Sequence, residues 1–350
     1  MRLGLDSYSY HRYFGELREG EEDPGIRWSH EDFMRRAGEL GLDGVSLETC
    51  YLPMDDPALP ERLASQAAEY GLELVLAWGH PGGLQMGMSA AARRRMLDAL
   101  PIAAAAGCRL VRIVVGTFIH WGQEPEASVL DRVAPLVAEA CARAADLGME
   151  LAIETHCDLT LDSLCELLDR VGRDDLGVVL DTANLVRIGE DLCEGTRRIA
   201  PFARMLHVKD LLLANADFGN PGGWWPCCAL GEGDLDLRGA LGELRAAGFG
   251  GLACVEIGTL PDGSNEDEVV TRSVDWLREA IAEDATASCG CLSRSRRYRC
   301  DRPGGAPTRA RRRQVPARAV EAFQVGDLSA VAASLAAISR QRSMPWHECA

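Results

Sequence analysis

The sequence predicts a (β/α)₈ barrel over residues 1–284, followed by a basic extension over 285–350. Three observations carry this expectation. Eight short apolar runs alternate with stretches in which apolar residues recur every three to four positions. A glycine closes most of those stretches just before the next apolar run, where a helix C-cap tolerates the left-handed backbone. No glycine-rich phosphate loop follows the first run, which favours a closed TIM-type barrel over a doubly wound open sheet. Eight repeats also fill the roughly 250 residues typical of such a barrel.

In chain order, strands are expected at residues 2–6, 44–48, 72–78, 110–115, 151–154, 178–181, 205–208 and 252–256. The clearest helical periodicity covers 129–147 and 161–171. Ser29 with Asp32, and Ser264 with Asp267, have the spacing of a capping box, which places a helix start after each serine. The expected stops are Gly41, Gly71, Gly107, Gly148, Gly172 and Gly248. After Ala285 the texture turns to Arg, Ser, Pro and Gly, which reads as disordered linker. Residues 317–340 have the pattern of one or two short helices broken at Gly326. Cys289, Cys291 and Cys300 lack a four-ligand set for a metal knuckle, so a plain tail is the better reading.

Charge divides the chain the same way. The formal net charge of −16 combines about +8 on residues 285–350 with about −24 on the barrel. So acidic a body repels phosphate backbones, and no nucleic-acid partner is expected. No run approaches the roughly 20 apolar residues of a membrane helix, and residues 2–6 already read as a strand, so neither a membrane span nor a secretory leader is expected. The 13 cysteines include no CxxC pair within 1–284 and read as reduced thiols of a cytoplasmic protein. Cys108, Cys141, Cys165 and Cys254 read as small core residues. Of the 37 basic residues all but Lys209 are Arg, so an individual Arg says little, whereas the single Lys invites explanation.

In this fold the chemistry sits at the C-terminal ends of the strands. Strands five to eight end in Glu154-Thr155-His156, in Asp181-Thr182-Ala183-Asn184, in His207-Val208-Lys209-Asp210 and in Glu256. His80 and His120 follow strands three and four. Glu154, Asp181, His207 and Glu256 thus come one from each of four successive strands. Three carboxylates at one mouth repel one another unless a cation lies between them. Mixed carboxylate and imidazole donors suit Mn²⁺, Mg²⁺, Co²⁺ or Fe²⁺ better than a structural Zn²⁺. Lys209 offers a compact ammonium, either to substrate or to a structural partner such as Glu256 or Asp210. Trp78, Trp121, Trp224 and Trp225 fall in rim segments, where an aromatic stacks on a ligand face or anchors a loop. The Gly231-Glu232-Gly233 turn has the form of a phosphate-binding loop, but the neighbouring Glu232, Asp234 and Asp236 favour a neutral ligand.

The segments LAIETH, VVLDTAN, MLHVKD, LGEGDLDL and CVEIG, with the opening LGLDSYSY, resemble the sugar phosphate isomerase/epimerase branch of the xylose isomerase-like barrels. The resemblance covers about four-fifths of the chain. It implies one divalent metal ion, Mn²⁺ foremost with Mg²⁺, Co²⁺, Fe²⁺ or Zn²⁺ as alternatives, held by Glu154, Asp181, His207 and Glu256. It also implies that Glu154 and Glu256 are the catalytic acid/base pair and that His156 contacts substrate. Asn184, Lys209, His80, His120 and Trp78 complete the expected substrate contacts. Where many members carry a His three residues after the Asp, this chain has Asn184. Where ketose epimerases commonly carry an Arg after the HVKD-type segment, it has Leu211, Leu212 and Leu213.

The implied reaction is isomerisation or epimerisation of a small carbohydrate or polyol, through proton abstraction next to a carbonyl and a metal-stabilised enediolate. A lyase on the same site, of inosose dehydratase or oxo-C-glycoside cleaving type, is the alternative. An endonuclease IV-like nuclease is disfavoured, because that family needs a His at position 184 and an Asp-x-His after strand seven. A non-catalytic sugar-binding barrel is disfavoured by the intact acid and ligand positions. Association into a homo-oligomer is compatible with the sequence.

Overall fold

The structure is a computed structural model that describes residues 1–287 apart from 19 and 262, with backbone only for 283–287. Residues 289, 291 and 300, and the helices expected within 317–340, lie outside the described residues. Eight parallel strands close a barrel: β1 (Arg2–Asp6), β2 (Gly44–Glu48), β3 (Glu73–Trp78), β4 (Leu110–Ile113), β5 (Glu150–Glu154), β6 (Leu176–Asp181), β7 (Ala203–Val208) and β8 (Leu252–Val255). Each strand pairs with its sequence neighbours, and β8 returns to β1. The TIM barrel expected from the sequence is therefore the observed fold. Strand bounds differ from expectation by no more than two residues at either end.

The helices are α1 (His30–Glu39), α2 (Leu59–Tyr70), α3 (Ala90–Ala105), α4 (Glu126–Asp146), α5 (Leu161–Val171), α6 (Thr182–Arg187), α7 (Leu192–Ile199), α8 (Leu237–Ala246) and α9 (Glu266–Ala287). Ser29 begins α1 with the expected reciprocal cap: its Oγ accepts the Asp32 N–H, and Asp32 Oδ2 accepts the Ser29 N–H at 2.9 Å. The start of α9 differs from expectation. Asn265, not Ser264, accepts the first free N–H groups, from Asp267 at 3.0 Å and Glu268 at 3.3 Å. Asp267 turns instead to the Tyr10 hydroxyl and the Arg36 guanidinium. All six expected stop glycines have positive φ, between 59° and 86°.

Barrel register decides which residues face inward. Residues paired across parallel strands share a face, so the pairs Gly4–Cys254, Cys254–His207, His207–Asp181, Val179–Glu154, Ala152–Arg112, Arg112–Ala77 and Ala77–Glu48 trace one surface around the barrel. Toward the N-terminal ends this surface is apolar: Val75, Leu110, Ala152, Val179, Met205, Leu252 and Cys254 form a buried cluster of their own. A Cβ on Gly4 would stand 2.6 Å from Cys254 Sγ, so glycine there leaves the sulfur its space. The outward residues pack against the helices in a second, larger core. A two-residue antiparallel ladder, Asp210–Leu211 with Cys227–Cys228, braces the loop after β7.

Candidate active site

Two residues along from the apolar layer, the same inward columns become ionisable. Ala152 leads to Glu154, Val179 to Asp181, Met205 to His207, Cys254 to Glu256, Leu110 to Arg112, Ser46 to Glu48 and Gly4 to Asp6. Alternation along a strand thus stacks a charged layer on an apolar one, at the C-terminal ends where the helix-side packing cannot reach. Asp6, Glu48, Arg112, Glu154, Asp181, His207 and Glu256 are all at most 5 % exposed.

The four expected metal ligands meet. One donor atom from each of Glu154, Asp181, His207 and Glu256 lies within 4.8 Å of the other three. His207 Nδ1 stands 2.5 Å from Glu256 Oε2 and 3.5 Å from Glu154 Oε1, and its Nε2 is 3.4 Å from Asp6 Oδ2. Yet His207 Nδ1, Glu256 Oε2, Asp181 Oδ2 and Asp6 Oδ2 make no well-aligned hydrogen bond. Buried polar atoms are rarely left so. Three buried carboxylates converging on one imidazole are what a shared cation requires, and the set fits a divalent metal. Asp181 also caps α6, its Oδ1 accepting the Asn184 N–H at 2.9 Å, which fixes the carboxylate relative to the helix.

Two cations border the cluster. Lys209 Nζ lies 2.8 Å from Asp181 Oδ2 and 2.7 Å from Glu256 Oε1. Of the structural partners weighed from the sequence, Glu256 is the one it meets, and those two carboxylates raise its pKa despite burial. Asp210 is engaged elsewhere: it accepts the N–H groups of Gly231 at 2.9 Å and Gly233 at 3.1 Å. The turn that resembles an anion loop is thus filled by the protein's own carboxylate. Arg112 bridges Glu48 and Glu154, the latter at 3.1 Å. Burial acts on both acids, but Arg112 and His207 together hold Glu154 down to about 2, while burial pushes Glu48 up to about 7. One guanidinium cannot neutralise two buried carboxylates, and Glu154, facing His207 as well, keeps the charge.

The other expected residues take varied places. Burial holds His156 down to about 4, so the ring is neutral, and its Nδ1 has no partner. Asn184 Nδ2 approaches Glu154 Oε1 at 3.5 Å, while its Oδ1 accepts from Arg187 at 3.0 Å. His120 Nδ1 accepts the Thr117 N–H at 3.1 Å, and burial lowers its pKa. His80 Nε2 meets Glu16 Oε1 at 2.8 Å, and its ring lies edge-on to Tyr8. Trp78, next to the inward Ala77, falls on the outer face of β3 and packs in the main core. Trp225 is buried with its Nε1 donating to Asn220 O. Trp224 is 47 % exposed and borders a cleft of about 630 Å³ between the loops after β1 and β8, beside His11, Arg12 and Glu266.

Sequence reading missed Asp6, Glu48 and Arg112. The signal existed for the first two, since each ends its strand on the inward column as Glu154 and Asp181 do. Among the described residues, no helix is long and apolar enough to cross a membrane.

A family model of the xylose isomerase-like TIM barrel matches residues 34–280, and the chain belongs to that family. Among curated proteins, it is 29 % identical over 104 residues to the uncharacterized protein YihM of Escherichia coli (strain K12). That stretch is 29 % of this chain and 31 % of YihM, so the match spans less than a third of that relative. Among solved structures, an L-ribulose 3-epimerase superposes with a TM-score of 0.62 at 16 % identity, covering 84 % of this chain and 99 % of that one. The IOLI protein with a binding zinc atom superposes with a TM-score of 0.63 at 16 % identity, covering 81 % and 99 %. These likenesses establish the fold.

Proposed function

We propose that the chain is a divalent-metal-dependent isomerase or epimerase of a small carbohydrate or polyol. The observation that carries this reading is the buried convergence of Glu154, Asp181, His207 and Glu256, one donor atom of each within 4.8 Å of the other three. The zinc of the IOLI protein and the epimerase activity named for a structural neighbour support it. Mn²⁺ is the favoured ion, with Mg²⁺, Co²⁺, Fe²⁺ and Zn²⁺ as alternatives. Bound there, such an ion supplies the Lewis acidity that polarises a substrate carbonyl.

The chain's own residues do the rest. Glu154 and Glu256 are the acid/base pair: one takes the proton from the carbon beside the carbonyl, and the other returns one. Lys209 orients Glu256 and balances the charge that the two acids share with Asp181. Neutral His156, with a free ring nitrogen, hydrogen-bonds a substrate hydroxyl. Asn184 holds Glu154 from the other side, and His80 and His120 belong to the surrounding wall, whereas Trp78, on the outer face of β3, does not reach substrate. The satisfied turn at Gly231 and Gly233 favours a neutral sugar over a phosphorylated one.

The test is exchange. Incubated with Mn²⁺ and a panel of ketoses, inososes and 3-oxo-glycosides in D₂O, the protein is expected to replace one C–H by C–D, followed by ¹H NMR. Glu256→Gln is expected to slow exchange by about 10²–10⁴-fold, the usual worth of a general base. No exchange with any of these substrates rejects the reading. A lyase is the second reading, favoured by the unpartnered Nδ1 of neutral His156, which offers an added base for proton removal in an elimination. Loss of water or of an aglycone alongside exchange selects it.

A further inference from the structure

A second set of metal-type donors gathers on the loops that follow β1, β2 and β3. Glu16 lies in the loop before α1, Cys50 in the 3₁₀ turn Thr49–Tyr51 after β2, and His80 two residues past β3. A Glu16 carboxylate oxygen, Cys50 Sγ and a His80 ring nitrogen all lie within 4.8 Å of one another. None of the three belongs to the His207 cluster.

We propose that Glu16, Cys50 and His80 form a second metal site, for a thiophilic divalent cation of the zinc class. The donor chemistry is the first reason. Thiolate, imidazole and carboxylate together are the ligand types zinc takes, and sulfur selects against the hard Mg²⁺ and Ca²⁺. The charges balance as well: binding expels to solvent the thiol proton and the proton that His80 Nε2 donates to Glu16, and one thiolate and one carboxylate beside a neutral imidazole then match the dipositive ion. Geometry is the second reason. Zinc bonds of about 2.0–2.3 Å in a tetrahedron place neighbouring donors about 3.3–3.8 Å apart. A spread within 4.8 Å closes by about an ångström of side-chain rotation. Support from outside the triad is the third. The Tyr51 hydroxyl donates to Glu16 Oε2 at 2.6 Å, and Tyr8 sits against the His80 ring, so both donors are held in place. His80 Nε2 lies 2.8 Å from Glu16 Oε1 and 3.0 Å from Oε2, so an ion enters by replacing that hydrogen bond and moving the two donors about half an ångström apart.

Cys50 is the one exposed cysteine among the described residues, but burial of the thiol, with Glu48 and Glu16 nearby, raises its pKa, so the ion has to displace a firmly held proton. Three protein ligands leave a fourth position for water. The ion would tie three otherwise separate rim loops together, beside Glu48, which reaches the main cluster through Arg112. This inference does not rest on the proposed reaction, and loss of deuterium exchange leaves it standing.

Anaerobic titration of the full chain with Co²⁺, in a thiol-free reductant, separates the two sites. The main cluster has no sulfur, so the part of a near-ultraviolet sulfur-to-cobalt charge-transfer band that depends on Cys50 reports the second site. Two equivalents are expected, one of them producing that band. Cys50→Ser is expected to remove the band and one equivalent. Glu16→Gln is expected to weaken that equivalent at least tenfold, as is His80→Gln, and Glu256→Gln to leave the band in place. Circular dichroism melts check that each variant folds, and Glu16→Gln decides if Cys50→Ser does not. Absence of the band, or a band that survives Cys50→Ser at full strength, overturns the proposal.

Discussion

Replacing Arg112 by Met asks whether one buried cation organises the barrel mouth. Arg112 is 3 % exposed and stands between Glu48 and Glu154. Methionine keeps much of the apolar stem but strands two buried carboxylates. Removing one partner of a buried ion pair costs about 3–5 kcal/mol. The lower end applies here, because burial already pushes Glu48 up to about 7 and a proton can stand in for the lost charge. A carboxyl with a raised folded pKa stabilises the fold below its unfolded value, and that stability is lost as pH rises through the folded value. The loss is therefore expected to be about 3 kcal/mol at pH 8 and smaller at pH 5. For a barrel of this size that is a fall in Tm of about 6 °C, at about 2 °C per kcal/mol. Adding Glu48→Gln removes one stranded charge and is expected to recover about half of it. Calorimetric melts of the wild type, Arg112→Met and the double variant at both pH values are the assay. A fall below about 2 °C at pH 8, or a double variant no more stable than the single one, refutes the bridging role.

Metal removal is the next perturbation. Mn²⁺ at 100 times its Kd is expected to stabilise the chelator-stripped protein by about 2.7 kcal/mol, a rise in Tm of about 5 °C, and Glu154→Gln to abolish that rise. Ser29→Ala takes away the side-chain cap of α1 and is expected to cost about 1 kcal/mol in urea unfolding, with m unchanged. Burial pushes Asp158 up to about 7 even though it accepts the Gly116 N–H at 2.6 Å, so its folded form is the neutral acid over most of the acid range. Its contribution is present below the ordinary 3.8 and is lost as pH rises through about 7. Thermal melts of Asp158→Asn against the wild type from pH 4 to 8 should show the gap moving in the variant's favour with rising pH. A gap that stays constant shows that the carboxyl ionises normally.

Most of the fold was legible because barrel strands and their helices leave local marks. The apolar runs at 44–48 and 178–181, the serine at 29 and the glycines at 71 and 172 each act within a few residues. The misplaced start of α9 has a distant origin instead. Ser264 and Asn265 both suit the capping position, and what separates them is that Asp267 is drawn away by Tyr10 and Arg36, hundreds of residues distant in sequence. The site divides along a similar line. Glu154, Asp181, His207 and Glu256 were visible because a charge at the end of an apolar run is locally anomalous. Glu16, Cys50 and His80 sit in loops, where polar residues are ordinary, so only the closed barrel shows that they meet. Arg112 and Lys209 make the sharpest contrast. Both are buried cations that bridge pairs of acids in one mouth. Lys209 stood out as the chain's single lysine, whereas Arg112 was one arginine among 36, set in the apolar run LVRIVV. A buried residue is legible in proportion to its departure from the background composition, and a genome that writes arginine everywhere hides the arginines that matter. The remedy is positional. An arginine that alternates with apolar neighbours inside a barrel strand cannot reach water, so it implies buried acids on nearby strands, here Glu154 on the adjoining β5 and Glu48 two strands away on β2.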